Sequence, residues 1–130
     1  MCRSATATPP PRELDPDRKQ RMSEIVIAMY RPYDESNQGA LKELIRQHNT
    51  TLRVEEMITD RPAILMQAED GTFLEIYEWL PGAAEAAHDH PALQKIWKRM
   101  QEICDFAPLI SLPEAEKSFP HFTPVDGVVT

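Results

Sequence analysis

Short runs of hydrophobic residues, bounded by proline, glycine or aspartate, recur along the chain and predict β-strands. Four of them are expected as strands: residues 24–31, 63–68, 72–79 and 106–112. The first run is almost continuously apolar, which is typical of a strand covered on both faces. Asp70-Gly71 supplies a tight turn between the second and third runs, so these two predict a β-hairpin.

Between the strands, apolar residues follow a helical spacing. One stripe predicts a first helix that begins near Asp34 or Ser36. Its members are Leu41, Leu44, Ile45, His48 and Leu52. A short alanine-rich helix follows the third strand and ends near His90, and Pro91 fits the start of the next helix. The stripe of that next helix consists of Leu93, Ile96, Trp97, Met100, Ile103 and Cys104.

The resulting order is strand, helix, strand, strand, broken helix, strand. This β-α-β-β-α-β order predicts an α+β ferredoxin-like sandwich, with one four-stranded antiparallel sheet and the helices on one face. The domain is expected at residues 23–112. Residues 1–22 are proline-rich and charged, which predicts a disordered or loosely ordered leader. Residues 113–130 predict an extended tail whose aromatic side chains pack on the body or on a partner subunit.

Both faces of this sheet carry apolar residues, including Ile25, Ile27, Ile64 and Leu74. Helices on one face leave the other face uncovered, and a bare apolar face of that size is unfavourable in water. The pattern therefore predicts a homodimer in which two sheets meet face to face, forming a dimeric α/β barrel.

Composition and charge limit the kinds of partner that the protein is expected to bind and the compartment in which it is expected. The chain of 130 residues has a net charge of −7, and its lysines and arginines form no stripe, which disfavours nucleic acid and anionic membranes as partners. No apolar run approaches the roughly 20 residues of a membrane span. The two cysteines suggest no disulfide framework, and the beginning of the sequence lacks a secretory pattern, so a cytoplasmic location is expected.

The third strand carries the most unusual side-chain pattern. Alternation places Phe73, Glu75, Tyr77 and Trp79 on one face, so a carboxylate lies among three aromatic rings. Glu75 is either an acid–base group in a pocket or one half of a buried ion pair with an arginine, for which the candidates are Arg31, Arg53 and Arg61. Tyr77 and Trp79 either wall an aromatic pocket or belong to the core.

Histidines supply the other candidate chemistry. His48 lies on the apolar stripe of the first helix, where it is either a buried structural residue or a base that faces the cleft between helix and sheet. His88 follows the alanine-rich helix and either caps it or enters the same cleft. His88 and His90 are two residues apart and do not share a helix face, so no metal site is expected.

The strand Glu75-Ile76-Tyr77-Glu78-Trp79, the alanine-rich helix with Ala87-His88, and the turn His88-Asp89-His90-Pro91 follow one another in order. In this arrangement the chain resembles the dimeric α/β-barrel proteins of the antibiotic-biosynthesis-monooxygenase-like superfamily, over residues 24–112. Members include oxygenases without metal or flavin, haem-degrading enzymes, isomerases and proteins without known activity. Haem-degrading members carry an asparagine on the first strand. This chain has none between Ser23 and Asp34, which disfavours haem degradation.

Residues and resemblance together predict a small enzyme of the cofactor-free monooxygenase or isomerase type. His88 or His48, with Glu75, would take a proton from a small aromatic or ketonic molecule. Tyr77, Trp79 and Arg61 would hold the substrate and its developing oxyanion. The alternatives are a module that binds a small hydrophobic ligand without chemistry, and a purely structural dimer whose cleft is filled by its own side chains.

Overall fold

The computed structural model describes residues 22–125. Its strands are β1 Glu24–Pro32, β2 Ile64–Gln67, β3 Phe73–Trp79, β4 Cys104–Phe106 and β5 Thr123–Pro124. Its helices are α1 Gln38–Val54, α2 Ala83–Ala87 and α3 Pro91–Gln101. Their order along the chain is β-α-β-β-α-α-β-β. The predicted leader lies almost wholly outside the described residues.

All five strands form a single antiparallel sheet in the order β4-β1-β3-β2-β5. The architecture is therefore α+β and is compatible with a ferredoxin-like fold. The predicted sheet had four strands, and the structure has five, because Thr123–Pro124 adds a short strand to the edge of β2. Two residues that include a proline give no strand pattern in the sequence, so this edge strand could not be expected.

The last predicted strand, residues 106–112, is wrong in position. The strand β4 comes earlier, at Cys104–Phe106, directly after α3. Residues Leu109–Ser111 and Pro113–Glu116 form 3-10 turns instead. Pro108 has no N–H to donate to a neighbouring strand, and it directly precedes the first 3-10 turn. The apolar segment therefore does not continue the strand beyond this point.

Helix boundaries follow from local capping. The Asp34 side chain accepts a hydrogen bond of 2.9 Å from the Ser36 N–H and caps a 3-10 turn at Glu35–Asn37 that leads into α1. At α3, the Nδ1 atom of His90 accepts a hydrogen bond of 3.2 Å from the Ala92 N–H, and Pro91 occupies the first turn. His90 is thus the cap of α3.

Strand register separates the two faces of the sheet. Cα partners Ala28 and Glu75, and Val26 and Tyr77, lie on the face that packs against the helices. The predicted helical stripes supply the other side of this core. The buried residues of α1 are Leu41, Ile45, His48, Asn49 and Leu52, and those of α3 are Leu93, Ile96 and Met100.

The opposite face of the sheet is covered at one end. Leu112 and Phe122 from the C-terminal segment pack against Leu74, which is 1 % exposed. At the other end, Ile25 and Ile64 are 57 % and 56 % exposed. The C-terminal segment therefore covers part of the apolar sheet face and leaves the isoleucines open.

Candidate functional site

Glu75, in the middle of β3, is the centre of a buried hydrogen-bond network. Tyr30 on β1 donates its hydroxyl proton to Oε1 of Glu75 at 2.8 Å. From α1, Nδ1 of His48 lies 3.0 Å from the same oxygen, and the Asn49 amide nitrogen lies 3.4 Å from Oε2. Glu75 and His48 are each 1 % exposed, so the contacts are shielded from solvent. One carboxylate therefore joins two strands and a helix.

The network fixes the orientation of the His48 ring. A carboxylate only accepts hydrogen bonds, so Nδ1 of His48 is the nitrogen that carries the proton toward Glu75. In the neutral imidazole the lone pair then lies on Nε2. Within the described part of the chain, this buried Nε2 has no hydrogen-bond partner. His48 therefore presents one nitrogen that is anchored and one that is free to bind a proton.

Tyr30 acts as a fixed donor in this network. Burial of the ring, and then the charge of the Glu75 carboxylate, raise the pKa of Tyr30 well above its ordinary value. The phenol is therefore protonated at physiological pH and can keep donating to Glu75.

His48 lines a cavity of about 420 Å³ between the helices and the sheet. This volume lies within the usual range of small-molecule pockets, roughly 300–1,000 Å³. Aromatic and imidazole rings dominate its walls. Besides His48, the aromatic and polar residues that line the cavity are Tyr30, Tyr77, His88, Trp97, Gln101 and Phe106.

The rings around His48 pack edge to face or at a tilt. The centroid of Tyr77 lies 5.8 Å from that of His48, and the centroid of Trp97 lies 6.1 Å from it. Burial, and then the Glu75 charge, raise the pKa of Tyr77, so its phenol is also protonated at neutral pH. A flat apolar molecule in this cavity would be bordered by an imidazole and two large aromatic side chains.

Of the other five predicted site residues, the structure places three around His48. Glu75 bonds to it, and Tyr77 packs beside it. His88 lies at the solvent-exposed border of the same cavity, with its ring centroid 5.8 Å from that of Trp97. His48 and His88 thus both pack against the Trp97 ring.

Trp79 and Arg61 lie elsewhere. Trp79 packs edge to face on Tyr77 at 5.1 Å but does not line the cavity. The Arg61 Nε donates to Oε1 of Glu78 at 3.0 Å, on the other face of β3, and the arginine side chain is 61 % exposed. These two residues are therefore not placed to contact a molecule held beside His48.

Of the two alternatives for Glu75, the ion pair is not formed with any of the three candidate arginines. Arg31 pairs with Asp70 at 3.2 Å, and Arg61 pairs with Glu78. The Nη1 atom of Arg53 donates to the Thr59 carbonyl at 3.3 Å. Glu75 takes its donors from Tyr30, His48 and Asn49 instead.

Three contributors were missed in the sequence: Tyr30, Asn49 and Gln101. Tyr30 faces the helices through the same alternation that places Glu75 there, so a pairing of β1 with β3 would have indicated it. Asn49 is a polar residue of low helix propensity directly after His48, and that combination was the available signal. Gln101 is the last residue of α3, and no sequence pattern indicated that it lines the cavity. Its approach to the cavity depends on how α3 crosses the sheet.

Cys104 is buried beneath α3, and burial together with the neighbouring Asp105 raises the pKa of its thiol to about 11. A protonated, buried thiol is a poor nucleophile. In residues 22–125, no three histidine, cysteine, aspartate or glutamate side chains are grouped closely enough to hold a metal ion. None of the described helices combines the length and apolar character needed to cross a membrane.

Comparison with known proteins does not indicate a function, so the interpretation of the chain depends on the site itself. No protein-family model matches the chain, and a search of curated proteins finds no match.

Proposed function

We propose that this chain is a cofactor-independent enzyme that removes a proton from a small aromatic or ketonic molecule, with His48 as the general base. The observation that carries the proposal is the buried, unpartnered Nε2 of His48, a residue that lines the cavity, while Glu75 holds Nδ1. A histidine that served packing alone would leave a buried nitrogen unsatisfied, which costs about 1–3 kcal/mol. A substrate proton gives that nitrogen a partner.

The proton transfer follows the geometry of the network. Nε2 of His48 takes a proton from an acidic carbon or hydroxyl of the substrate, and the ring becomes an imidazolium. Glu75 faces this positive charge from the other side of the ring and stabilises it, which also fixes the tautomer. Tyr30 and Asn49 hold the carboxylate in place. Glu75 is therefore the positioning residue of the pair.

The electron pair left on the substrate has two outcomes. A carbanion that takes the same proton back at another atom gives an isomerisation. A carbanion that reacts with molecular oxygen gives a peroxide anion, which takes the proton from the His48 imidazolium and forms a hydroperoxide. The Gln101 amide and the Tyr77 hydroxyl belong to residues that line the same cavity, and either can donate to a developing oxyanion.

We further propose that the protein is a cytoplasmic homodimer, with a ferredoxin-like sheet completed as a dimeric α/β barrel. Ile25, Ile27 and Ile64 are exposed on the sheet face opposite the helices, and a second copy would remove them from water. The motif around Glu75–Trp79 and Ala87-His88 resembles the antibiotic-biosynthesis-monooxygenase-like superfamily, in which such dimers occur.

Two readouts with the same variants test the proposal. Small ketones and phenols are incubated with the protein in deuterated water, and exchange of their acidic carbon-bound hydrogens is followed by NMR. Oxygen uptake is measured with the same panel. His48→Gln is expected to lower either rate at least about 100-fold, the usual effect of losing a general base. His121→Gln, which removes an exposed imidazole, is the matched control and keeps the rate.

The outcomes separate this function from its alternatives. Turnover that survives His48→Gln contradicts the role of His48 as the base. A ligand that is bound tightly but neither exchanged nor oxidised indicates a binding module. The cavity of about 420 Å³ favours a site that admits a ligand over a structural dimer in which Leu44, Trp97 and Tyr77 fill the cleft.

A further inference from the structure

A second cavity lies on the other face of the sheet, away from His48. It has a volume of about 260 Å³ and lies between the sheet and the C-terminal segment. Ile27, Met66 and Leu74 form its sheet side, and Leu112 and Phe122 face them from the C-terminal segment. Its lining is therefore almost entirely apolar.

One carboxylate interrupts this apolar lining. Glu114 lines the cavity and is 4 % exposed. Its Oε2 atom accepts a hydrogen bond of 2.8 Å from the Glu69 N–H, whereas the buried Oε1 atom has no partner among residues 22–125. A buried carboxylate oxygen without a donor is strongly unfavourable, and a charged group in such a place calls for a counter-charge. Lys117 also lines this cavity, but its side chain is exposed and does not pair with Oε1.

We propose that this cavity binds a small aliphatic primary amine, with the ammonium group donating to Oε1 of Glu114 and the alkyl chain lying against Met66, Leu74 and Leu112. An ammonium group supplies both the missing hydrogen-bond donor and the missing positive charge. The apolar walls exclude water from the chain and match an alkyl group. Carboxylate ligands are rejected, because they place a like charge beside Glu114.

Hexylamine is the probe, and hexanol and hexanoate are its neutral and anionic counterparts. The protein is labelled with carbon-13 at the methionine methyl groups, and the Met66 signal, assigned with Met66→Leu, is followed during each titration. Hexylamine is expected to shift the Met66 signal saturably. Hexanol is expected to bind at least about 10-fold more weakly, and hexanoate is expected not to bind.

Two variants separate the carboxylate from the cavity. Glu114→Gln keeps an oxygen for the Glu69 N–H but removes the charge, and should weaken hexylamine at least about 10-fold. Ala115→Trp leaves Glu114 intact and places an indole at the border of the cavity, so it should also reduce hexylamine binding. If hexylamine leaves the Met66 signal unchanged, or binds no better than hexanol, or binds either variant as well as the natural chain, the proposal is overturned.

Discussion

Nδ1 of His48 lies 3.0 Å from Oε1 of Glu75, and this contact joins the middle of α1 to the middle of β3 across 27 positions of sequence. The same oxygen accepts the Tyr30 hydroxyl from β1. The carboxylate thus fixes a helix and two strands relative to one another while it orients the imidazole. Stability and the proposed catalysis depend on the same side chain.

Removal of the Glu75 carboxylate should therefore destabilise the fold. Glu75→Ala leaves Tyr30, His48 and Asn49 with buried donors and no acceptor, so the free energy of unfolding is expected to fall by about 3–5 kcal/mol. Glu75→Gln keeps one acceptor oxygen and should cost less. Urea denaturation followed by circular dichroism measures both values.

Glu78 provides the matched control on the same strand. It accepts from Ser23, Thr59 and Arg61 on the other face of β3, where these contacts are nearer to solvent. Glu78→Ala should cost no more than about 1 kcal/mol. Equal losses at Glu75 and Glu78 would show that the buried network contributes nothing particular to stability.

Alkaline pH should weaken the fold through the buried tyrosines. The pKa of Tyr77 is raised in the folded protein above its ordinary value of 10.0, so the unfolded chain loses this proton first as the pH rises. Unfolding then releases a proton, and the free energy of unfolding falls by about 1.4 kcal/mol per pH unit for each such tyrosine. Below the ordinary value of the pKa, both states keep the proton and this contribution is constant.

Tyr77→Phe removes one of these groups. Above pH 10.0, the free energy of unfolding should fall less steeply for this variant than for the natural chain. The difference between the two slopes should be about 1.4 kcal/mol per pH unit. The offset between the two proteins at neutral pH serves as the internal reference, because the phenol is protonated there in both states. Parallel curves at alkaline pH would mean that Tyr77 titrates normally in the folded protein.

His90 should contribute to stability as the cap of α3. Its Nδ1 accepts from the Ala92 N–H at 3.2 Å, and its Nε2 lies 3.0 Å from Oε1 of Glu55. His90→Ala is expected to lower the midpoint of thermal unfolding through a loss of about 1 kcal/mol. His90→Asn restores a capping side chain without the Glu55 contact and should recover most of that loss. An asparagine variant as unstable as the alanine variant would assign the effect to Glu55 instead.

The proposed dimer makes a prediction about the open sheet face. Sedimentation velocity should show a dimer for the natural chain and a monomer for Ile25→Glu, because a charge at the centre of an apolar interface has no partner there. Val54 is 71 % exposed at the end of α1, away from the sheet, so Val54→Glu should remain a dimer. A monomeric natural chain at micromolar concentration would exclude the barrel.

The sequence was sufficient for the parts of the fold that periodicity determines. The stripe from Leu41 to Leu52 is the buried face of α1, and alternation placed Phe73, Glu75 and Tyr77 together on the helix side of β3. It failed where proline-rich segments are stabilised by long-range contacts. Thr123–Pro124 forms a short strand because the edge of β2 is free to pair with it. No local sequence pattern indicates that this edge is free.

Some residues of the candidate site were predictable from the sequence, but their arrangement was not. His48 and Glu75 were each identified from an unusual polar position on an apolar face. Their contact depends on how α1 crosses the sheet, and this is set by packing that a single sequence does not reveal. For the same reason the sequence did not show that Arg61, a predicted substrate-binding residue, lies on the outer face with Glu78.

The most direct measurement of the central claim is the nitrogen-15 NMR spectrum of protein with labelled histidine, with His48 assigned by its loss in His48→Gln. For the neutral imidazole of His48 we expect the tautomer that carries its proton on Nδ1, bonded to Glu75, and an unprotonated Nε2. A proton on Nε2 of the neutral imidazole would leave His48 without a free lone pair and would contradict its role as the base.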